Sequence, residues 1–218
     1  MMDKKISLII PAKDEAENIG HVLKVATRVK EIDEIIVIAD ACTDNTAKIA
    51  RKFKVKVYEK KKTKGKGDAM FYGAGKSKSD ILLFIDADLK NLKISHIKSV
   101  LLPVTEGGYQ LSIGLRDRAM GLGVAIPKMF NSFAISGERA MTRSFFNSLP
   151  KSEDTDGFGI EIIMNRFAKI NKVKIAYPVL TGLNHTIKEK KWGLARGLSS
   201  RLLLIYQIIK SQISVRIK

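Results

Sequence analysis

Four short apolar runs, three of them closed by an acidic residue, constrain this chain more than any other feature. Ile6–Pro11, Glu34–Ala39, Val55–Glu59 and Asp80–Asp86 carry near-continuous rather than alternating hydrophobic residues. A strand apolar on successive residues buries both faces, so its sheet must be covered above and below. Helical spacing separates the runs: over 14–30, Ile19, Val22, Leu23, Ala26 and Val29 share one face, and Thr43–Phe53 and Asp68–Lys76 follow suit. Strands alternating with helices predict an α/β fold, with a mostly parallel central sheet flanked by helices. At 218 residues the chain is long enough for one domain with a real core, burying about 70% of the surface it exposes when unfolded.

The second half is less regular. Ile94–Val104 reads as a helix and Tyr109–Leu115 as a strand. Gly121–Pro127 reads as a glycine-rich loop. Ser136–Ser148 and Gly157–Ala168 read as helices around the polar loop Pro150–Asp156, and Val173–Leu180 as a last strand. From Lys190 onward Leu194, Leu198, Leu202, Ile205, Ile209 and Ile213 form one helical stripe.

Charge narrows the function classes. Thirty-nine Lys and Arg against 22 Asp and Glu leave +17, which predicts attraction to nucleic acid, anionic membrane or phosphorylated small molecules. The single cysteine, Cys42, excludes an internal disulfide or a cysteine zinc cluster and suits a reducing compartment; it is expected to have no chemical role. No apolar run approaches the roughly 18 residues of a membrane span, and no signal peptide is evident at the start.

In an open α/β sheet, ligands gather at the carboxyl ends of the strands. Here those ends read P-A-K-D-E (Pro11–Glu15), D-A-C-T-D (Asp40–Asp44) and D-A-D (Asp86–Asp88), three acidic clusters in a basic chain. Close-set carboxylates repel unless a cation lies among them, and a hard divalent ion shared with substrate phosphates is the simplest such cation. Asp44 is read as a helix cap and Asp40 as functional. The dinucleotide G-x-G-x-x-G and the P-loop spacing are both absent, which disfavours those phosphate sites.

The motifs I-I-P-A-K-D-E-A-E-N-I, I-A-D-A-C-T-D-N-T-A, G-K-G-D-A-M and L-F-I-D-A-D-L, in order across residues 6–89, resemble the family 2 glycosyltransferases of the GT-A fold. I-S-G-E-R-A-M-T-R (135–143), G-F-G-I-E-I (157–162) and a histidine after the last strand are similar to the glucosyl-3-phosphoglycerate synthase branch. The resemblance implies a hexosyltransferase acting on a nucleoside-diphosphate sugar and a phosphorylated acceptor, with Mg²⁺ or Mn²⁺. It implies a single domain over 1–218: a nucleotide-binding half (1–90), an acceptor half (91–188) and a basic amphipathic C-terminal helix (189–218). Pro11, Ala12, Lys13 and Glu15 would then line the base and ribose pocket and Asp40 would face the base edge. Lys66 would approach the nucleotide, with Arg118 adding positive charge. Asp86 would meet the ribose or the metal, and Asp88 and His185 would ligate the metal. Gly137 and Arg139 would bind substrate, and Glu161 or Asp156 would act as a catalytic carboxylate; Asp154 is a weaker candidate.

The acceptor divides the remaining readings. Residues 188–218 carry eight Lys or Arg and one Glu on an apolar helix. Such a helix suits peripheral contact with the inner face of the cell membrane, hence a polyprenyl-phosphate acceptor; packing on the core or in a homodimer is the competing expectation. A cytoplasmic enzyme follows from either. A basic nucleic-acid-binding protein is the alternative of another class, disfavoured because few aromatics accompany the lysines and no binding motif appears. No nucleic-acid partner is expected.

Overall fold

The computed structural model describes residues 4–116, 136–151, 155 and 159–185. Arg118, the 121–127 loop, Asp154, Asp156 and the 189–218 helix lie outside the described residues, as does the side chain of His185.

Strands β1 (Ile6–Ala12), β2 (Glu34–Asp40), β3 (Lys56–Lys60) and β4 (Ile81–Phe84) form the parallel part of a seven-stranded sheet. β5 (Leu89–Lys90), β6 (Leu111–Ile113), β7 (Leu115–Arg116), β8 (Arg139–Thr142), β9 (Ile175–Ala176), β10 (Val179–Leu180) and β11 (Asn184–His185) follow. The sheet order is β3-β2-β1-β4-β8-β6-β9, with β8 antiparallel to both neighbours and the other pairings parallel. The α/β architecture read from the sequence therefore holds, with one antiparallel strand at the heart of the sheet.

The helices are α1 (Ile19–Ala26), α2 (Thr46–Arg51), α3 (Lys66–Lys76), α4 (Ile94–Thr105), α5 (Arg143–Ser148) and α6 (Ile160–Ile170). The continuous apolar runs are explained by two core layers. Leu8 and Ile10 of β1 pack with Ile19, Val22 and Leu23 of α1 and Ile97 and Leu101 of α4. Ile9, one residue out of phase, packs on the other face with Met70 of α3, Phe145 of α5 and Met164 of α6. Successive side chains point to opposite faces, so both must be apolar.

One expectation is corrected. Residues 136–148 do not form one helix: Arg139–Thr142 is strand β8, and the helix begins only at Arg143. Ala140 and Met141 are fully buried between β4 and β6, and that long-range pairing overrides the local helix preference of R-A-M-T. Thr142 then caps α5, its side chain accepting from the Phe145 amide at 3.3 Å. Similarly, 173–180 breaks into two short strands, β9 and β10.

Candidate active site

The loops after β1 and β2 are fastened to one another. Asp14 takes a left-handed backbone (φ 52°), and its Oδ1 accepts from the Thr43 amide at 2.6 Å and the Thr43 hydroxyl at 3.2 Å. The Glu15 amide donates to Thr46 Oγ1 at 2.8 Å and the Ala16 amide to Asp44 Oδ2 at 2.9 Å. Asp44 Oδ1 accepts from the Thr46 amide at 2.9 Å, but Asn45 holds the N-cap position, so Asp44 stands one residue outside the cap expected of it. The Cys42 thiol donates to the Ala12 carbonyl at 3.3 Å, and burial pushes its pKa up, so it is an inert packing group. Lys13 reaches the Ala41 carbonyl, itself at a left-handed φ of 51°. Pro11 and buried Ala12 lie beneath these contacts, at the strand end.

Asp40, 4% exposed, ends β2 with both oxygens occupied: Lys60 Nζ donates to Oδ1 at 2.8 Å and Thr63 Oγ1 to Oδ2 at 2.5 Å. Lys60 also pairs with Asp68. Burial opposes the Lys60 charge, but its two carboxylates win and raise its pKa.

Asp86 is the junction of the site. Lys66 Nζ donates to its Oδ1 at 2.5 Å and to Glu161 Oε1 at 2.6 Å. Arg116 Nη2 reaches its Oδ2 at 3.3 Å while forking onto Glu138, with contacts of 3.0 and 2.8 Å. The Ser136 hydroxyl holds Glu138 from behind at 2.6 Å. Burial disfavours the charge on Lys66 and Arg116, yet the carboxylates around each outweigh it and push both pKa values up. Gly137 presses on Asp86 so closely that a Cβ there would lie 2.1 Å from Oδ1. A Cβ on Gly67, at the start of α3, would run into the Thr155 carbonyl at 1.7 Å, which fixes α3 against the second half.

Asp88 is half-buried. Desolvation, and then repulsion from Asp86 and Glu15, push its pKa up to about 6. Across from it, β11 pairs antiparallel with β5, setting the backbone of His185 opposite Leu89, one residue beyond Asp88. That ribbon is secured by His96. Its Nδ1 accepts from the Lys93 amide at 3.3 Å, so Nε2 carries the proton and donates to the Thr181 carbonyl at 3.1 Å.

Arg139 does not face a substrate. It is fully buried, with Nε donating to the Ser136 carbonyl at 2.6 Å and Nη1 to the Glu161 carbonyl at 3.3 Å and Asn165 Oδ1 at 2.7 Å. It positions Glu138 and Glu161 from behind; burial lowers its pKa. Arg116 and Glu138 are site members that the sequence reading missed. The available signal was a cation directly after a buried strand, in G-L-R.

The donor set suits a hard divalent cation. Glu15, Asp86, Asp88, Glu138 and Glu161 face Lys66, Arg116 and Arg139, five carboxylates against three cations, a formal −2 that one such ion neutralises.

This chain belongs to glycosyl transferase family 2, whose family model matches residues 7–170. Among solved structures, glucosyl-3-phosphoglycerate synthase from Mycobacterium tuberculosis in complex with Mn²⁺, UDP and glucosyl-3-phosphoglycerate is 26% identical. Its TM-score is 0.72, and the match covers 84% of this chain and 72% of that one. The same enzyme with Mg²⁺ and UDP matches at 25% identity and a TM-score of 0.70, with the same coverage. The 4,4'-diaponeurosporenoate glycosyltransferase of Staphylococcus haemolyticus (strain JCSC1435) is 29% identical over 172 residues, 75% of this chain and 44% of that protein. The chain thus spans less than half the length of that relative. Among the described residues, no helix is long and apolar enough to cross a membrane.

Proposed function

We propose that the chain is a metal-dependent hexosyltransferase that moves a sugar from a UDP- or GDP-sugar to a phosphorylated acceptor such as a phosphoglycerate-like acid. One observation carries this reading: an acid-rich strand end, Asp86 and Asp88, stands beside two part-buried cations, Lys66 and Arg116. The complexes of the mycobacterial synthase, with Mn²⁺, UDP-glucose and phosphoglyceric acid, support the substrate classes.

Asp88 and His185 would hold Mg²⁺ or Mn²⁺, with Asp86 beside them. The ion supplies Lewis-acid charge at the diphosphate leaving group. Lys66 and Arg116 would bring positive charge to where negative charge develops on the β-phosphate, in a part-buried site. Pro11, Ala12, Lys13 and Glu15 frame the nucleoside side, with Asp40 toward the base. Gly137 leaves room for Asp86, and Arg118 would add positive charge at the leaving group. Glu161 or Asp156 would serve as the carboxylate on the acceptor side.

A second reading concerns the acceptor alone. The staphylococcal relative is named for a carboxylate acceptor, and residues 188–218 carry the basic, apolar stretch. These support an anionic acceptor delivered at a membrane surface. Titration of UDP- and GDP-sugars with and without Mn²⁺, followed by thermal unfolding, tests the donor side. A ligand at 100 times its Kd adds about 2.7 kcal/mol, and the gain is expected to depend on Mn²⁺ and to vanish in Asp88→Ala. No metal-dependent gain with any sugar nucleotide, or an unchanged gain in Asp88→Ala, rules the reading out. Transfer to 3-phosphoglycerate against transfer to polyprenyl phosphate in anionic vesicles separates the acceptors.

A further inference from the structure

Two cations flank Asp86, and they are held in different ways. Arg116 is gripped by Glu138 through two parallel contacts, with Ser136 behind and Glu138 itself only 2% exposed. A planar guanidinium in such a fork is fixed in direction as well as position. Lys66 meets Asp86 and Glu161 by single contacts of 2.5 and 2.6 Å. Its ammonium is a compact charge on a flexible four-carbon stem and can turn to a new partner without losing its geometry.

The anchoring of Glu161 points the same way. It sits in the first turn of α6, where the unpaired amides of the helix favour a carboxylate with or without Lys66. Arg139 fixes that turn through the Glu161 carbonyl and Asn165, and its charge also acts on the Glu161 carboxylate. The carboxylate therefore keeps its place if the ammonium leaves. The Lys66–Glu161 contact also joins residues 95 positions apart, one from each half of the chain.

On the reading that this site takes a nucleoside diphosphate, we propose that Glu161 is the displaceable counter-ion of Lys66. The entering diphosphate takes the ammonium from Glu161 and leaves that carboxylate to the second half of the site. A buried carboxylate that loses the cation bonded to it is destabilised even with Arg139 nearby, and a hydroxyl donating to it offsets that cost where an anion cannot. Donor entry thus prepares the site for an acceptor hydroxyl, and Glu161 positions Lys66 until then.

Calorimetric titration of UDP in the presence of Mn²⁺ reads this exchange without requiring turnover. Glu161→Gln keeps the shape and removes the competing charge; it is expected to bind UDP about tenfold more tightly than the wild type. Glu161→Asp keeps the charge but withdraws it by one methylene, and its affinity is expected to fall between the two. In a Lys66→Met background, Glu161→Gln is expected to leave UDP affinity unchanged, because the coupling runs through Lys66. The proposal is overturned if Glu161→Gln binds UDP no more tightly than the wild type. It is equally overturned if Glu161→Asp stays at wild-type affinity, or if the gain is the same with and without Lys66, since a general change of charge would do that. If the wild type binds neither UDP nor GDP with Mn²⁺, the donor reading itself fails and takes this inference with it.

Discussion

The loops after β1 and β2 are held by hydrogen bonds to backbone amides, whereas the seam between the two halves is held by charge. Asp14, Asp44 and Thr46 each satisfy an amide in these two loops, over separations near 30 residues. At the seam, Lys66, Arg116 and Arg139 tie Asp86, Glu138 and the α6 start together, over separations that reach 95 residues. A hydrogen-bonded loop is already shaped before any ligand arrives. A network of ions is shaped by its own members, and a charged ligand can rearrange it. The difference suggests that the nucleoside end is rigid and the diphosphate end responsive.

The sharpest way to break this comparison is to remove the cation buried deepest in the seam. Arg139→Ala leaves the Ser136 and Glu161 carbonyls and Asn165 without their donor, beside buried Glu138 and Glu161. The expected loss is about 3–5 kcal/mol, read by urea unfolding. Thr46→Val, which removes one hydroxyl from the hydrogen-bonded loops, should cost only about 1 kcal/mol. Equal losses would mean that the seam is no more dependent on its charges than the loops are.

A gentler test uses two glycines. Gly137→Ala brings a methyl to 2.1 Å from an Asp86 oxygen already held on both sides, so Asp86 must shift away from Lys66 and Arg116. About 1–3 kcal/mol of stability is expected to go, together with UDP affinity. Gly75→Ala, inside α3 with nothing within 4 Å of the new methyl, should instead gain about 0.5–1 kcal/mol from helix propensity. Melting curves of the two variants with and without UDP and Mn²⁺ separate a site effect from a helix effect. A Gly137→Ala protein as stable and as nucleotide-competent as the wild type would contradict the close approach.

What the sequence made legible follows the same division. Ile6–Pro11 and Asp80–Asp86 announce buried strands because their apolar residues are consecutive, and a strand end locates Asp86 and Asp88 without further help. Arg139–Thr142 is illegible as a strand, since R-A-M-T carries no β-branched run and owes its form to β4 and β6. Arg139 itself looks like a surface cation, and only the fold shows its guanidinium sealed behind α6. Arg116 and Arg118 stand two apart in G-L-R-D-R, and the β7–β10 pairing, not the motif, brings Arg116 to Asp86. Local chemistry is written in consecutive residues; partners drawn from distant segments are not.

The smallest effect lies at the opposite end of the strands, where one carboxylate sits among serine hydroxyls with Lys56 and Arg143 beside it. Glu34 accepts from Ser7 Oγ at 2.5 Å and Lys56 Nζ at 2.6 Å, and Ser7 in turn meets Ser77 and Ser79, each at 2.6 Å. Burial alone would raise the Glu34 pKa, but the Lys56 and Ser7 hydrogen bonds outweigh it and hold the carboxyl below its ordinary value. A carboxyl depressed in the folded state adds stability that is complete above its unfolded pKa, near 4.3, and is lost as pH falls through the folded value. At pH 7 the wild type should therefore be modestly more stable than Glu34→Gln. The gap should close as the pH is lowered below about 4, because a protonated glutamate then resembles glutamine. Melting temperatures of the pair across pH 3–7 measure it. A gap that persists at acid pH would show that the hydroxyl cluster, rather than the charge, carries this corner, and would bring it closer in kind to the hydrogen-bonded loops than to the seam.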